Sequence, residues 1–121
     1  MDGIDVIRFD ELPSRGHGVL VPLRQALGVT SFGINLERWP PGSHDHPEHD
    51  ESSSGQEEVY VVLAGSCTLV AGGESHPLTP GSAARVAPGV PRRLIAGPDG
   101  VEVLCLGAIP GGLYVPSGPG A

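Results

Sequence analysis

The residues between Gly42 and Gly65 hold most of the groups in this chain that could do chemistry. Three histidines, His44, His46 and His49, stand among six carboxylates on a loop that runs into the apolar segment Glu58-Val59-Tyr60-Val61-Val62-Leu63. Imidazole nitrogens and carboxylate oxygens are ligands for divalent first-row metals, and residues two apart on an extended backbone fall on one face, as His44 and His46 would. Period-two alternation sends Glu58, Tyr60 and Val62 to one side and Val59, Val61 and Leu63 to the other. A carboxylate aimed into a core needs a cation beside it, an ion or a basic side chain.

These groups must be positioned by strands. Nineteen glycines and thirteen prolines in 121 residues interrupt the chain too often for long helices, and the Val, Leu and Ile runs between them are strand-length. Ile4 to Phe9 reads as a first edge strand and Val19 to Val21 as a continuation of the sheet. Pro22 to Gly28 is the one helix expected, with proline at its start and glycine at its stop. From Ser31 to Trp39 the apolar Phe32, Ile34 and Leu36 alternate with Ser31, Gly33, Asn35 and Glu37, as in a half-buried strand. Trp39 at its end is either packing or a ligand platform.

Residues 43 to 56 carry no aliphatic side chain, so nothing in the middle of that segment is expected to anchor it, and a mobile loop is expected from about Glu48 to Gly55. Further strands follow at Cys67–Ala71, Ser75–Leu78, Ser82–Ala87, Arg92–Ala96 and Val101–Ala108, separated by turns at 72–74, 79–81, 88–91 and 97–100. His76, on the short return strand beside the first of these turns, reads as a surface residue. Val101 to Leu106 is apolar at nearly every position and should be covered on both faces. Regularly spaced strands without intervening helices indicate an all-β sandwich or barrel. We read residues 1–121 as one domain, with the barrel over about 31–109 and a Gly/Pro-rich tail over 110–121.

The formal charge is −7, there is no lysine, and seven scattered arginines make no basic stripe, which argues against nucleic acid as a partner. No apolar stretch is long enough to span a membrane and no basic leader opens the chain, so a cytoplasmic protein is expected. Cys67 and Cys105 lie in separate apolar strands and are expected to be buried, reduced thiols.

Two motifs in order resemble the cupin superfamily, in particular its small single-domain members. Glu58, six residues and Gly65 reproduce the end of the first cupin motif, with an aromatic at Tyr60. Gly81, five residues, Ala87 in a proline position, then Gly89 and Arg92 reproduce the spacing of the second. The resemblance implies a double-stranded β-helix, or jelly-roll barrel, whose mouth holds Glu58, Arg92 and the histidine loop, and it implies a homodimer. Besides Ala87 in the proline position, the chain departs from the family pattern in two further respects. The histidines lie farther upstream of Glu58 than usual, leaving open whether His44 with His46 or a register through His49 applies. Arg92 stands where the last histidine ligand belongs, and a guanidinium has no lone pair for a metal.

Two functions follow from the resemblance. One is binding of a small anionic or carbonyl-bearing molecule, oriented by Arg92 in a pocket lined by Tyr60, Val62, Ala84, Val86, Leu94 and Leu36, with Glu58, Arg92, Tyr60 and Trp39 as ligand-binding residues and Glu58 paired to Arg92. The other is a metal-dependent dioxygenase or isomerase holding one divalent ion (Fe, Mn, Zn or Ni) through His44, His46, His49 and Glu58. A structural or oligomerisation module with a merely solvating loop is the third reading.

Overall fold

The computed structural model describes residues 3–16 and 19–112. Its elements are β1 (Leu20–Pro22), α1 (Leu23–Leu27), β2 (Gly33–Trp39), β3 (Glu57–Ala71), β4 (Glu74–Leu78), β5 (Ala83–Val86) and β6 (Arg92–Ala108). All pairings are antiparallel, in the order β1-β2-β6-β3-β4, with β5 also on β3. Glycine stops α1 as expected: Gly28 takes the left-handed conformation and its N–H returns to the carbonyls of Arg24 and Gln25. The β3–β4 hairpin turns on Gly72 and Gly73, both at positive φ, as a tight two-residue hairpin requires.

The frame is the long β3–β6 ladder. The first half of β3 pairs with the second half of β6 (Glu58 opposite Gly107, Gly65 opposite Val101), and beyond two register shifts its second half pairs with the first half of β6 (Cys67 opposite Ala96, Ala71 opposite Arg92). The shifts centre on Gly65, whose φ is +69° and whose hydrogen faces the Gly100 carbonyl so closely that a Cβ would lie 2.0 Å from that oxygen. The segment 97–100, expected to break the strand, therefore remains within β6 as an irregularity.

Side chains alternate on this ladder as the sequence indicates. Tyr60, Val62, Val103 and Cys105 point inward, where they pack with Leu69, Val86 and Leu94. Tyr60, Val62 and Leu94 of the expected pocket fill the barrel and line no cavity, as a small barrel is closed by its own side chains, whereas Ala84 and Val86 line a separate cavity of about 500 Å³ with Leu69 and Val90. A second cluster of Val21, Leu23 and Leu36 lies on the outer face under α1, joined by Ile7, Phe9, Leu12 and Leu104. Leu36 therefore faces away from the barrel interior. The second cluster is also what covers the outer side of β6 at Leu104.

Ile4 to Phe9 forms no strand. Ile7 and Phe9 reach the outer cluster, Val6 is 85% exposed, and the segment runs into a single 3-10 turn at Phe9–Glu11. The expected strand begins at Gly33 and not at Ser31, with Phe32 40% exposed. Cys67 and Cys105 are buried free thiols, and burial pushes both above the ordinary thiol range. His76 is exposed. Among the described residues no helix is long and apolar enough to cross a membrane. The expected tail lies largely in 113–121, outside the described residues.

The histidine loop is held by its backbone even though it lacks aliphatic side chains. Ala96 N–H donates to the Ser43 carbonyl (3.0 Å), His49 and Arg92 exchange both backbone bonds (3.0 and 2.8 Å), and Glu51 N–H donates to the Pro88 carbonyl (2.8 Å). Hydrogen exchange at the His49 amide is accordingly expected to be slowed to the level of the β3 core amides, with fast exchange confined to Ser52–Ser54. A His49 amide exchanging as fast as that of Ser53 would show that the bridge is not populated.

Candidate functional site

Arg92 opens β6 and Glu58 is the second residue of β3, and the barrel brings their side chains together. The Nη1 of Arg92 donates to Glu58 Oε1 at 2.5 Å, Nη2 to the Ala87 carbonyl at 2.6 Å and Nε to the Val90 carbonyl at 2.9 Å. Arg92 is 0% exposed. A fully buried guanidinium needs both a counter-charge and partners for its donors, and here all three nitrogens have one. The Tyr60 hydroxyl donates to the same Glu58 oxygen at 2.8 Å. Burial, reinforced by the adjacent Glu58 carboxylate, holds the Tyr60 pKa far above the ordinary phenol value, so it remains a donor. Three of the five guanidinium N–H groups of Arg92 are engaged in these bonds, and the side chain is enclosed in the interior and does not stand at an open surface.

The three histidines separate. His44 is exposed. His46 is 5% exposed, with its ring edge-on to Trp39 (centroids 5.2 Å apart) and Nε2 3.7 Å from Glu37 Oε1. Glu37 Oε1 also accepts the Trp39 indole N–H (2.8 Å), and Oε2 accepts the Cys105 thiol (3.5 Å). Burial lowers the His46 pKa from its ordinary value, partly opposed by Glu37, so the ring is neutral at pH 7. His49 places Nδ1 3.1 Å from the Pro47 carbonyl and turns Nε2 toward Glu51 (3.5 Å) and Glu58 (3.6 Å).

His49, Glu51 and Glu58 form a group that could hold a metal ion, each offering one ligand atom and all three atoms within 4.8 Å of one another. With Nδ1 donating to Pro47, Nε2 of His49 faces two carboxylates, an arrangement that calls for a proton or a cation between them. Against this, Glu58 Oε1 already accepts Arg92 and Tyr60, and a guanidinium bonded to a ligand oxygen would repel a divalent ion by several kcal/mol at an effective dielectric of about 20. The donor types suit a metal, but the set does not fit one while Arg92 holds Glu58. His44 and His46 lie outside the group. Glu51 was not anticipated, although its spacing of two from His49 was the available signal. Glu37 was also missed, because its strand's apolar face suggested the opposite side as the interior.

Beside the pair lies a cleft of about 730 Å³ between β2, the histidine loop and the backbone around Arg15 and Leu20. Glu37, Trp39, His46, Val19 and Leu20 are on its walls, with Arg15 and Arg38 lining it as well. Arg38 is bonded to Glu102 (2.9 Å) and Asp10 (3.1 Å). Trp39 thus reaches an open surface, while Glu58, Tyr60 and Arg92 do not line the cleft.

A six-stranded antiparallel barrel built on two long bent strands, with a carboxylate and histidines gathered at one end, defines a class of small β-barrel proteins. The chain belongs to the cupin family: the cupin domain model matches residues 35–107. No functionally curated protein matches it. Among solved structures, a cupin protein from Bacteroides fragilis is similar over 97% of this chain and 93% of its own, at 22% identity and a TM-score of 0.74. A sugar phosphate isomerase of the cupin superfamily from Silicibacter pomeroyi matches 74% of this chain and 57% of its own, at 26% identity and a TM-score of 0.62. The cupin domain of a XRE family transcriptional regulator from Enterobacter cloacae matches 76% and 96%, at 24% identity and a TM-score of 0.65.

Proposed function

We propose that this chain is a small-molecule-binding cupin in which the Glu58–Arg92 ion pair, and not a metal, organises the inner end of the site. The observation that carries the reading is the enclosure of Arg92, fully buried at the position of a family metal ligand, with three nitrogens on three separate acceptors. Pairing compensates Glu58, closes the barrel interior, and leaves the cleft at Trp39 as the place for a ligand. Protein purified without chelator and without a histidine tag is expected to carry substoichiometric divalent metal.

A second reading, a metal-dependent enzyme, is favoured by the convergence of His49 Nε2 on Glu51 and Glu58. The sugar phosphate isomerase similarity is in keeping with it, over a part of that protein only. An ion bound through these residues would supply Lewis acidity, His49 would contribute a neutral nitrogen, and Glu51 and Glu58 would balance its charge. Close to one ion per chain, lost in Glu58→Gln, would replace the first reading by this one.

For assembly we propose a homodimer formed through the outward row of Val59, Val61 and Leu63, which stays half-buried to exposed in the isolated chain. A sedimentation mass of one chain at micromolar concentration would dismiss it.

A further inference from the structure

We infer that the cleft at Trp39 takes a neutral, hydroxyl-rich small molecule of the polyol or sugar class, read by Glu37 and His46. The inference rests on the small-molecule-binding reading above and names its ligand chemistry.

Glu37 and Asp45 line the cleft together with Arg15 and Arg38, so an ion of either sign meets a like charge there as well as an opposite one, and the lining favours neither. Arg38 is already bonded to two carboxylates, and Arg92 is buried and does not line the cleft. A neutral ligand meets no like charge.

The polar groups at the inner wall then specify hydroxyls. Glu37 is an acceptor held in place by the Trp39 indole N–H and the Cys105 thiol. His46 Nε2 stands 3.7 Å from Glu37 Oε1, beyond direct hydrogen bonding, whereas Nδ1 is buried without any partner. Leaving Nδ1 without the proton avoids burying an unpaired N–H, so Nε2 carries it and the wall presents a donor and an acceptor side by side. A hydroxyl is both donor and acceptor, and one placed between them can accept from His46 Nε2 and donate to Glu37 Oε1; a second hydroxyl on the next carbon can use the remaining acceptor capacity. Trp39 has committed its N–H to Glu37, so it offers only its ring surface, which with Val19 and Leu20 suits the C–H face of a sugar or polyol.

Trp39 is the only tryptophan of the chain, so its emission reports on this cleft. Protein held in EDTA should be titrated with neutral probes (D-glucose, D-ribose, myo-inositol), a cationic probe (choline) and anionic probes (acetate, inorganic phosphate). A saturable change with at least one neutral probe is expected, and Glu37→Gln should weaken it by about tenfold or more, the loss of one well-made hydrogen bond to a charged acceptor. Should Glu37→Gln fail to fold, Trp39→Ala followed by saturation-transfer NMR of the same probe serves instead, with loss of transfer expected. Saturation by choline, acetate or phosphate alone, no saturation by any neutral probe, or affinity unchanged in the variant would each overturn the inference. Because metal is excluded throughout, failure here is distinct from failure of the ion-pair reading, which is decided by metal binding at Glu58.

Discussion

Replacing Arg92 by alanine is expected to destabilise the protein by about 3 to 5 kcal/mol, the cost of removing one partner of a buried ion pair. Three acceptors lose their donor at once: Glu58 Oε1, the Ala87 carbonyl and the Val90 carbonyl. Glu58 retains Tyr60, but a hydroxyl does not balance a carboxylate's charge. The two carbonyls flank the turn that brings the chain from β5 to β6, so the loss should also loosen the approach of His49, whose backbone is bonded to that of residue 92. Urea unfolding of wild type, Arg92→Ala and the double variant Glu58→Gln/Arg92→Met separates charge from packing. The double variant should recover a large part of the loss, since apolar or neutral replacement of a whole buried pair is often tolerated. A single-variant loss below about 1 kcal/mol would place Arg92 in water.

The second large effect is expected at Gly65. An alanine there would have to hold a left-handed backbone, costing about 1 to 2 kcal/mol, and would drive its Cβ to 2.0 Å from the Gly100 oxygen, a backbone atom that cannot rotate away. Separation of β3 from β6 at their crossing should bring the total to at least about 4 kcal/mol or prevent folding. Gly73→Ala is the internal control. Gly73 has a φ of +80° but nothing near its would-be Cβ, so only the backbone cost of about 1 to 2 kcal/mol applies. Equal losses at the two sites would mean that the close approach of the strands is absent.

Much of this frame was legible in the sequence because its signals are local. Gly28 after an apolar helical stretch, the Gly72-Gly73 turn and the alternation from Glu58 to Leu63 each follow from backbone sterics or a period of two, and Gly65 and Gly81 fix where the ladder bends and turns. Glu58 and Arg92 could be set facing each other through the cupin spacing. What was not legible depends on which of two apolar surfaces a strand serves. On β2 the apolar Leu36 packs outward under α1, so Glu37 and Trp39 face the interior, the reverse of what alternation alone suggests. The burial of His46 follows from that reversal, since its ring packs on the face that Trp39 and Glu37 present. Ile4 to Phe9 failed as a strand for a related reason: its apolar side chains find cover on the outer cluster without needing a strand partner. The anchoring of the loop came from backbone hydrogen bonds, to which side-chain composition gives no clue.

The central claim is that Arg92 occupies, chemically, the place of a metal ion. It is tested most directly by isothermal titration of Zn(II), Mn(II), Fe(II) and Ni(II) into the wild type and Arg92→His. The substitution removes the permanent positive charge and adds a nitrogen lone pair beside Glu58, His49 and Glu51. The account predicts no stoichiometric binding by the wild type and one equivalent bound by Arg92→His. One equivalent bound tightly by the wild type, and abolished by Glu58→Gln, would contradict it.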